Sequence, residues 1–105
     1  MKLIKSEYDS DCPVAHALHI LGGKWTALIL HNIFDGKNRF GQLQRAMVGI
    51  SSKTLAQRLF ELEKEGIISR KVFKEIPLHV EYSLTKKGKS LGEILETMKK
   101  WGKKH

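Results

Sequence analysis

The sequence has little cysteine or proline and no long apolar run. Its 105 residues include one cysteine and two prolines. A single cysteine cannot build an internal disulfide framework, which is typical of a protein in a reducing compartment. The first residues, MKLIKSEYDSDCP, contain no apolar segment of signal-peptide length, and WTALILHNIF is too short and too polar to span a bilayer. We therefore expect a cytoplasmic protein that is not embedded in a membrane.

The sequence also lacks the combinations of residues that form catalytic sites. The five histidines are scattered, and the sequence indicates no acid pair and no nucleophile with a neighbouring base. The stretch GGKW at 22–25 resembles the end of a phosphate-binding loop, but the upstream glycine is absent. Trp25 also replaces the serine or threonine that would hold magnesium. We expect neither an enzyme nor a bound cofactor.

Acidic residues are scarce beside basic ones. Eleven Asp and Glu against nineteen Lys and Arg give a formal net charge of +8, which favours a polyanionic partner such as nucleic acid. No repeat or linker divides the chain, so residues 1–105 are interpreted as one domain. A domain of this size has a thin margin of stability, which makes a homodimer a reasonable expectation.

Apolar spacing predicts two helices in the first third of the chain. Asp11 or Cys12 would cap the first helix, with Pro13 at its first position, where the missing N–H costs nothing. Its expected apolar stripe consists of Val14, Ala17, Leu18 and Leu21. The second helix, about 24–34, is the expected central core element and ends near Gly36. Its apolar positions are Trp25, Leu28, Ile29 and Ile33.

A helix-turn-helix is predicted at about 39–65. Two short helices are joined by a turn in which Gly49 can adopt the positive φ that a tight connection needs. Ser51 is a natural N-cap of the second helix, which ends at Gly66. The apolar faces are Phe40, Leu43 and Met47 in the first helix and Leu55, Leu59 and Leu62 in the second.

A β-hairpin and a last helix follow the helix-turn-helix. The expected fold is therefore a winged helix-turn-helix, mainly α with a small β-hairpin (α+β). IISRKVF and VEYSLT are rich in β-branched and aromatic residues, and Pro77 places the segment between them in a loop. These strands predict a wing at about 67–85. Thr85 then caps a helix over about 86–103. Its apolar positions are Leu91, Ile94, Leu95, Met98 and Trp101. Two glycines in it indicate a close helix–helix approach, Gly88 and Gly92.

If the second helix of the helix-turn-helix enters a major groove, its outward side near the N-terminus carries the sequence readout. The candidates are Ser51, Ser52, Lys53, Thr54, Gln57 and Arg58, with no acid among them. Gln57 suits adenine, while Arg58 and Lys53 suit guanine or phosphate. Further phosphate or minor-groove contacts are expected from Arg39, Arg70, Lys71, Lys74 and His79. The alternative for each residue is an ordinary solvated side chain.

Three segments together resemble the HxlR-type winged-helix transcriptional regulators: CPVAHALHILGGKWTALIL, RFGQLQRAMVGISSKTLAQRLFELEKEGIISRKVF and IPLHVEYSLTKKGKSL. The likeness covers roughly residues 12–101. It implies a homodimer formed by the N-terminal and last helices, with two recognition helices and two wings on one pseudo-palindromic operator. It also implies that members with the Cys12-Pro13 pair can sense oxidants or electrophiles through that thiol.

Three interpretations of Cys12 stay open from the sequence. As a sensor it stands at a helix start, where backbone amides favour a thiolate. With no second cysteine, its oxidation would give a bridge between subunits, a mixed disulfide or a higher oxide. As a structural residue it is a small side chain under the dimer interface. As a metal ligand it would act with His16 and His19, but two turns of one helix make a poor complete site, and we predict no metal.

Two alternatives to a redox-responsive regulator also stay open. One is a regulator controlled by a small-molecule effector, in which Cys12 is only structural. The other is a winged-helix module that docks a protein partner, in which the basic charge is incidental. Retention of a defined operator fragment distinguishes this second alternative from a DNA-binding protein.

Overall fold

The computed structural model describes residues 12–105, which form five helices and one two-stranded antiparallel sheet. In chain order the elements are α1 (Pro13–Leu21), α2 (Lys24–Phe34), α3 (Phe40–Ala46), α4 (Ser52–Lys64), β1 (Ile68–Phe73), β2 (His79–Leu84) and α5 (Lys86–Lys104). This architecture is an α+β winged helix and confirms the expected fold class. Asp11, the alternative cap of the first helix, lies outside the described residues. Within the described part of the chain, every helix is too short or too polar to cross a bilayer.

Helix α1 begins after Cys12, whose extended backbone makes it the N-cap, and Pro13 occupies the first turn as predicted. The carbonyl oxygen of Cys12 accepts the first backbone hydrogen bond of the helix. Ala15 is buried, whereas Val14 and Leu18 from the predicted apolar stripe are exposed. Residues 12–105 of one chain therefore leave these two side chains of α1 uncovered.

The core lies between α2, the helix-turn-helix and one side of α5. Ile29 and Leu30 of α2 are completely buried, but Leu28, which was expected in the core, is exposed. The spacing of 3.6 residues per turn puts Leu30 on the same side as Ile33, and Leu28 falls beyond the edge of that side. The fully buried side chains are Ile29, Leu30, Leu43, Leu55, Leu59, Ile67 and Ile68. Each stabilises the fold by about 1.5–3 kcal/mol.

The hairpin is fastened to the helical core at its base. Strands β1 and β2 pair antiparallel along their whole length, and Pro77 lies in the loop that connects them, as predicted. The hydroxyl of Thr85 donates to the carbonyl of Gly66 at 2.7 Å and accepts from the N–H of Gly88 at 3.1 Å. One residue thus caps α5 and connects the end of the wing to the end of α4.

Two of the three glycines of α5, Gly88 and Gly92, mark close approaches of different kinds. A Cβ added to Gly92 would overlap the ring of Phe34 at the end of α2, which confirms the expected helix–helix approach there. A Cβ added to Gly88 would instead overlap the carbonyl oxygen of Ile67, just before β1. The prediction of a helix–helix approach is therefore wrong at Gly88, because the neighbour is the backbone that leads into the wing.

Candidate nucleic-acid interface

Helix α4 has an outward side opposite its buried leucines. The helical period places Lys53, Gln57 and Phe60 on the side away from Leu55 and Leu59. Lys53 and Gln57 are exposed, and Phe60 is 63% exposed. Sequence analysis missed Phe60 as a surface residue of this helix, although its position outside the leucine stripe was an available signal. The outward side therefore offers an ammonium group, an amide and an aromatic ring to a partner.

The N-terminus of α4 is fixed by three hydroxyl-bearing side chains. The hydroxyl of Ser51 accepts from the N–H of Thr54 at 3.0 Å and donates to the Thr54 hydroxyl at 2.9 Å. Nε2 of Gln44, in α3, donates to the Ser52 hydroxyl at 2.8 Å. No sequence signal identifies Gln44, because its bond depends on how α3 packs against α4. Ser51 and Thr54, two of the predicted DNA contacts, therefore cap α4, and a third, Ser52, connects α4 to α3.

Arg58 lies apart from the outward side of α4. Its Nη1 is 3.0 Å from Oε1 of Glu61. Arg58 also lines a groove of about 310 Å³ that His19 of α1 and Thr26 of α2 border from the other side. The helical period explains this position, since Arg58 directly precedes the buried Leu59 and flanks the apolar stripe. The structure therefore separates Arg58 from Lys53 and Gln57, with which the sequence grouped it.

Two predicted contacts outside α4 meet at Glu81 in β2. Oε2 of Glu81 lies 3.6 Å from Nη2 of Arg39 and 3.0 Å from Nε2 of His79. Nδ2 of Asn38 donates to the other carboxylate oxygen at 3.3 Å, and the carbonyl of Asn38 accepts from the N–H of Tyr82 at 2.8 Å. Glu81 thus joins the wing to the segment before α3 and holds Arg39 beside His79. Sequence analysis assigned Glu81 no role, since it reads as an ordinary polar strand residue.

The other predicted wing contacts lie on two faces of the hairpin. The ring of His79 stacks on that of Phe73 with centroids 4.7 Å apart, and Nζ of Lys71 lies 5.0 Å from the Phe73 centroid. Because side chains alternate along a strand, Arg70 points to the opposite face. Lys74 is exposed in the loop that connects the strands. The wing therefore presents cations along both faces and near its tip.

Cys12 is an exposed free thiol at the N-terminus of α1. Its side chain makes no capping hydrogen bond. His16 and His19 follow on the same helix, but across residues 12–105 these three side chains do not form a group that could hold a metal ion. The geometry therefore does not favour the metal interpretation of Cys12, whereas the access that a reactive thiol needs is present.

The polar outward side of α4 and the basic hairpin beside it define a winged helix-turn-helix protein of the DNA-binding class. Residues 20–105 match the HxlR-like helix-turn-helix family, and the chain belongs to this family. Over 103 residues it is 42% identical to the uncharacterized HTH-type transcriptional regulator YdeP of Bacillus subtilis (strain 168). That alignment covers 94% of this chain and 80% of YdeP.

Two solved structures share the fold. The redox regulator HypR in its oxidized form is similar with a TM-score of 0.83 and 40% sequence identity, over 90% of this chain and 97% of HypR. Diamide-treated YodB from B. subtilis is similar with a TM-score of 0.73 and 39% identity, over 90% of this chain and 94% of YodB. The resemblance identified from sequence motifs is thus confirmed by both sequence and structure.

Proposed function

We propose that this protein is a homodimeric transcriptional regulator that binds a pseudo-palindromic operator in double-stranded DNA. The observation that carries the proposal is the outward side of α4, where Lys53 and Gln57 are exposed and residues 51–58 include no acid. Two α4 helices related by a two-fold axis would enter major grooves about one helical turn apart. Such a regulator acts on the chromosome, so we propose that it is located in the cytoplasm. We assign it no catalytic reaction.

We assign the predicted contact residues to two kinds of readout. Gln57 suits a bidentate contact with adenine, and Lys53 suits guanine or phosphate. Contacts with phosphate or the minor groove, which position the protein without reading sequence, are assigned to Arg39, Ser51, Ser52, Thr54, Arg58, Arg70, Lys71, Lys74 and His79. The formal charge of +8 supports a large electrostatic share of the affinity.

Binding to a defined operator fragment and to random duplex, measured at rising salt, tests this function. We expect tighter binding to the operator and a steep loss of affinity with salt, because phosphate contacts release counterions. Equal affinity for random duplex would contradict sequence-specific binding. Failure to retain DNA at low salt would favour the alternative of a winged-helix module that docks a protein.

Exposed apolar side chains on the terminal helices support the homodimer. Ile94, Met98 and Trp101 of α5 are 49%, 55% and 66% exposed, and Val14 and Leu18 of α1 are also exposed. Covering one such side chain stabilises an assembly by about 1.5–3 kcal/mol at most. A second copy of the chain is the partner that the family resemblance implies for these two helices.

The exposed thiol of Cys12 supports control by oxidants. HypR has been solved in oxidized and reduced forms, and YodB after diamide treatment and in its reduced form. In this chain two Cys12 thiols, one from each subunit, would form one S–S bond. They would lose two protons and two electrons to an oxidant such as diamide, whose N=N bond is reduced to a hydrazine. A mixed disulfide with a small thiol and a higher oxide of the sulfur are the other products that one cysteine permits.

Operator binding by wild type and Cys12→Ser, each with and without diamide, tests the sensor together with a non-reducing gel. We expect diamide to change the operator affinity of the wild type alone. On the gel, the oxidized wild type should form a disulfide-linked dimer or, when a small thiol is added, a mixed disulfide. If both proteins respond alike, Cys12 is not the sensor.

The groove beside Arg58 favours a second candidate, control by a small-molecule effector. It lies between α1, α2 and α4, and it includes a cation from Arg58 and a carboxylate from Glu61. A ligand there would contact the recognition helix directly. An effector that shifts operator affinity equally in wild type and Cys12→Ser would support this candidate over the thiol.

A further inference from the structure

Three side chains that can bind metals converge where the end of α2 meets the middle of α5. His31 lies in the last turn of α2, Asp35 is its C-cap, and Glu96 faces them from α5. Nε2 of His31 is 3.2 Å from Oε2 of Glu96 and 3.6 Å from Oδ2 of Asp35. A ligand atom of each residue lies within 4.8 Å of the other two. The proposed DNA contacts and Cys12 use none of these residues.

The spacing of these atoms fits a single small cation. With metal–ligand distances of about 2.1 Å, two ligand atoms of a tetrahedral zinc site lie about 3.4 Å apart. The two distances from the imidazole nitrogen, 3.2 and 3.6 Å, lie on either side of that value. His31 and Asp35 are also four residues apart, which places both on one side of the helix end. The two carboxylate oxygens lie within 4.8 Å of each other, so small side-chain rotations would bring all three atoms onto one ion without moving α2 relative to α5.

The charges at this point also favour a cation. When the imidazole of His31 is neutral with its proton on Nδ1, the lone pair of Nε2 faces two carboxylates, and three acceptors meet without a donor. A proton on Nε2 makes one good hydrogen bond, to Glu96, and leaves Asp35 with a longer contact. Lys99 reaches Glu96 only at 4.0 Å. A divalent ion would satisfy all three ligand atoms at once.

We propose that His31, Asp35 and Glu96 form a binding site for a divalent transition-metal ion that joins α2 to α5. Imidazole and carboxylate ligands suit zinc, and the side chains of His31, Asp35 and Glu96 are 25%, 35% and 33% exposed, so water can complete the coordination. The site needs no second copy of the chain, because Glu96 and the exposed Ile94 lie on different sides of α5.

Zinc titration of tag-free protein by calorimetry tests the proposal. The Cys12→Ser background removes the thiol, which would otherwise compete for zinc. We expect one saturable site in this background and at least a tenfold loss of zinc affinity in Glu96→Gln. Asp35→Asn should show a similar loss, whereas Glu93→Gln, an exposed carboxylate on the same helix, should bind zinc like the parent. Circular dichroism confirms that each variant is folded.

Thermal unfolding gives a second readout. Zinc at many times its dissociation constant should raise the Tm of the parent and of Glu93→Gln by several degrees, because it binds only the folded state. At the same zinc concentration the Tm of Glu96→Gln should rise clearly less, because its site is weaker. The proposal is overturned if zinc does not bind, if Glu96→Gln and Asp35→Asn bind it like the parent, or if binding is seen only with Cys12 present.

Discussion

Helices α4 and α5 bury their apolar sides in the same core, through Leu55 and Leu59 in α4 and Leu91 and Leu95 in α5. They differ in what they leave uncovered. The outward side of α4 includes Lys53 and Gln57 beside the exposed ring of Phe60, whereas α5 leaves a flank made only of apolar side chains, Ile94, Met98 and Trp101, in water. Burial thus explains why both segments are helices, and the uncovered sides indicate different partners, DNA for α4 and a second copy for α5.

The largest effect is expected on the buried side of α5. Gly88→Val should lower the free energy of unfolding by about 3 kcal/mol, because the new side chain collides with backbone that cannot move aside. The obstacle is the carbonyl oxygen of Ile67, which also accepts from Thr85. Urea denaturation measures the loss. Gly102→Ala is the matched control, since nothing lies within 4 Å of that position. If the two variants unfold at the same urea concentration, the close approach at Gly88 is wrong.

The apolar flank of α5 should matter for assembly and not for folding. Ile94 is half exposed, so Ile94→Glu should leave the stability of the single chain nearly unchanged. A symmetric interface contains two copies of Ile94, and losing about 1.5 kcal/mol at each would weaken the dimer roughly 100-fold. Analytical ultracentrifugation measures this.

Lys100→Glu is the control for the same helix, because the helical period puts Lys100 on the other side from Ile94. It also introduces a glutamate, lowers the net charge by two where Ile94→Glu lowers it by one, and removes no apolar side chain. Equal dimer affinities for Ile94→Glu and the wild type would show that the apolar flank is not part of the dimer interface. The difference between the uncovered sides of α4 and α5 would then be unexplained.

Much of the fold follows from local rules that the sequence displays. The leucines of α4 repeat at helical spacing and are all buried, and Ser51 and Thr85 form the caps that their positions before the helices predict. The hairpin follows from β-branched residues on either side of Pro77. These features depend on residues a few positions apart, so a single sequence suffices to predict them.

The candidate site was less predictable because its contacts join distant segments. Asn38 and Glu81 are 43 positions apart, and His31 and Glu96 are 65 apart. The placement of Arg58 in a groove also depends on how α1 and α2 pack beside α4. A pattern of hydrogen-bonding residue types predicts that a helix side is polar, but only the packed structure separates Arg58 from Gln57.

That separation leads to a prediction for α4 itself. Gln57→Ala should weaken operator binding by about 1–3 kcal/mol per half-site, roughly 5- to 150-fold, because a base contact is lost. Its affinity for random duplex should not change. Arg58→Ala should cost less and act equally on operator and random duplex, since its guanidinium is held by Glu61. Fluorescence anisotropy with both DNAs measures the two effects. A larger, operator-specific loss in Arg58→Ala would mean that Arg58 leaves Glu61 to contact a base.

The smallest effects are expected where the wing meets the segment before α3. Arg39 and His79 share the carboxylate of Glu81, and Arg39 is half exposed, so Arg39→Ala should change the free energy of unfolding by less than about 1 kcal/mol. If Arg39 contacts phosphate, the same variant should weaken operator and random duplex alike and reduce the salt slope by about 1 per half-site, or about 2 for the dimer. Glu81→Gln should have the opposite sign, because it removes the anion that competes with phosphate for Arg39. Salt titrations of DNA binding by the two variants therefore distinguish a DNA contact from a purely structural ion pair. If the salt slope is unchanged in both variants, Arg39 and Glu81 have only the structural role.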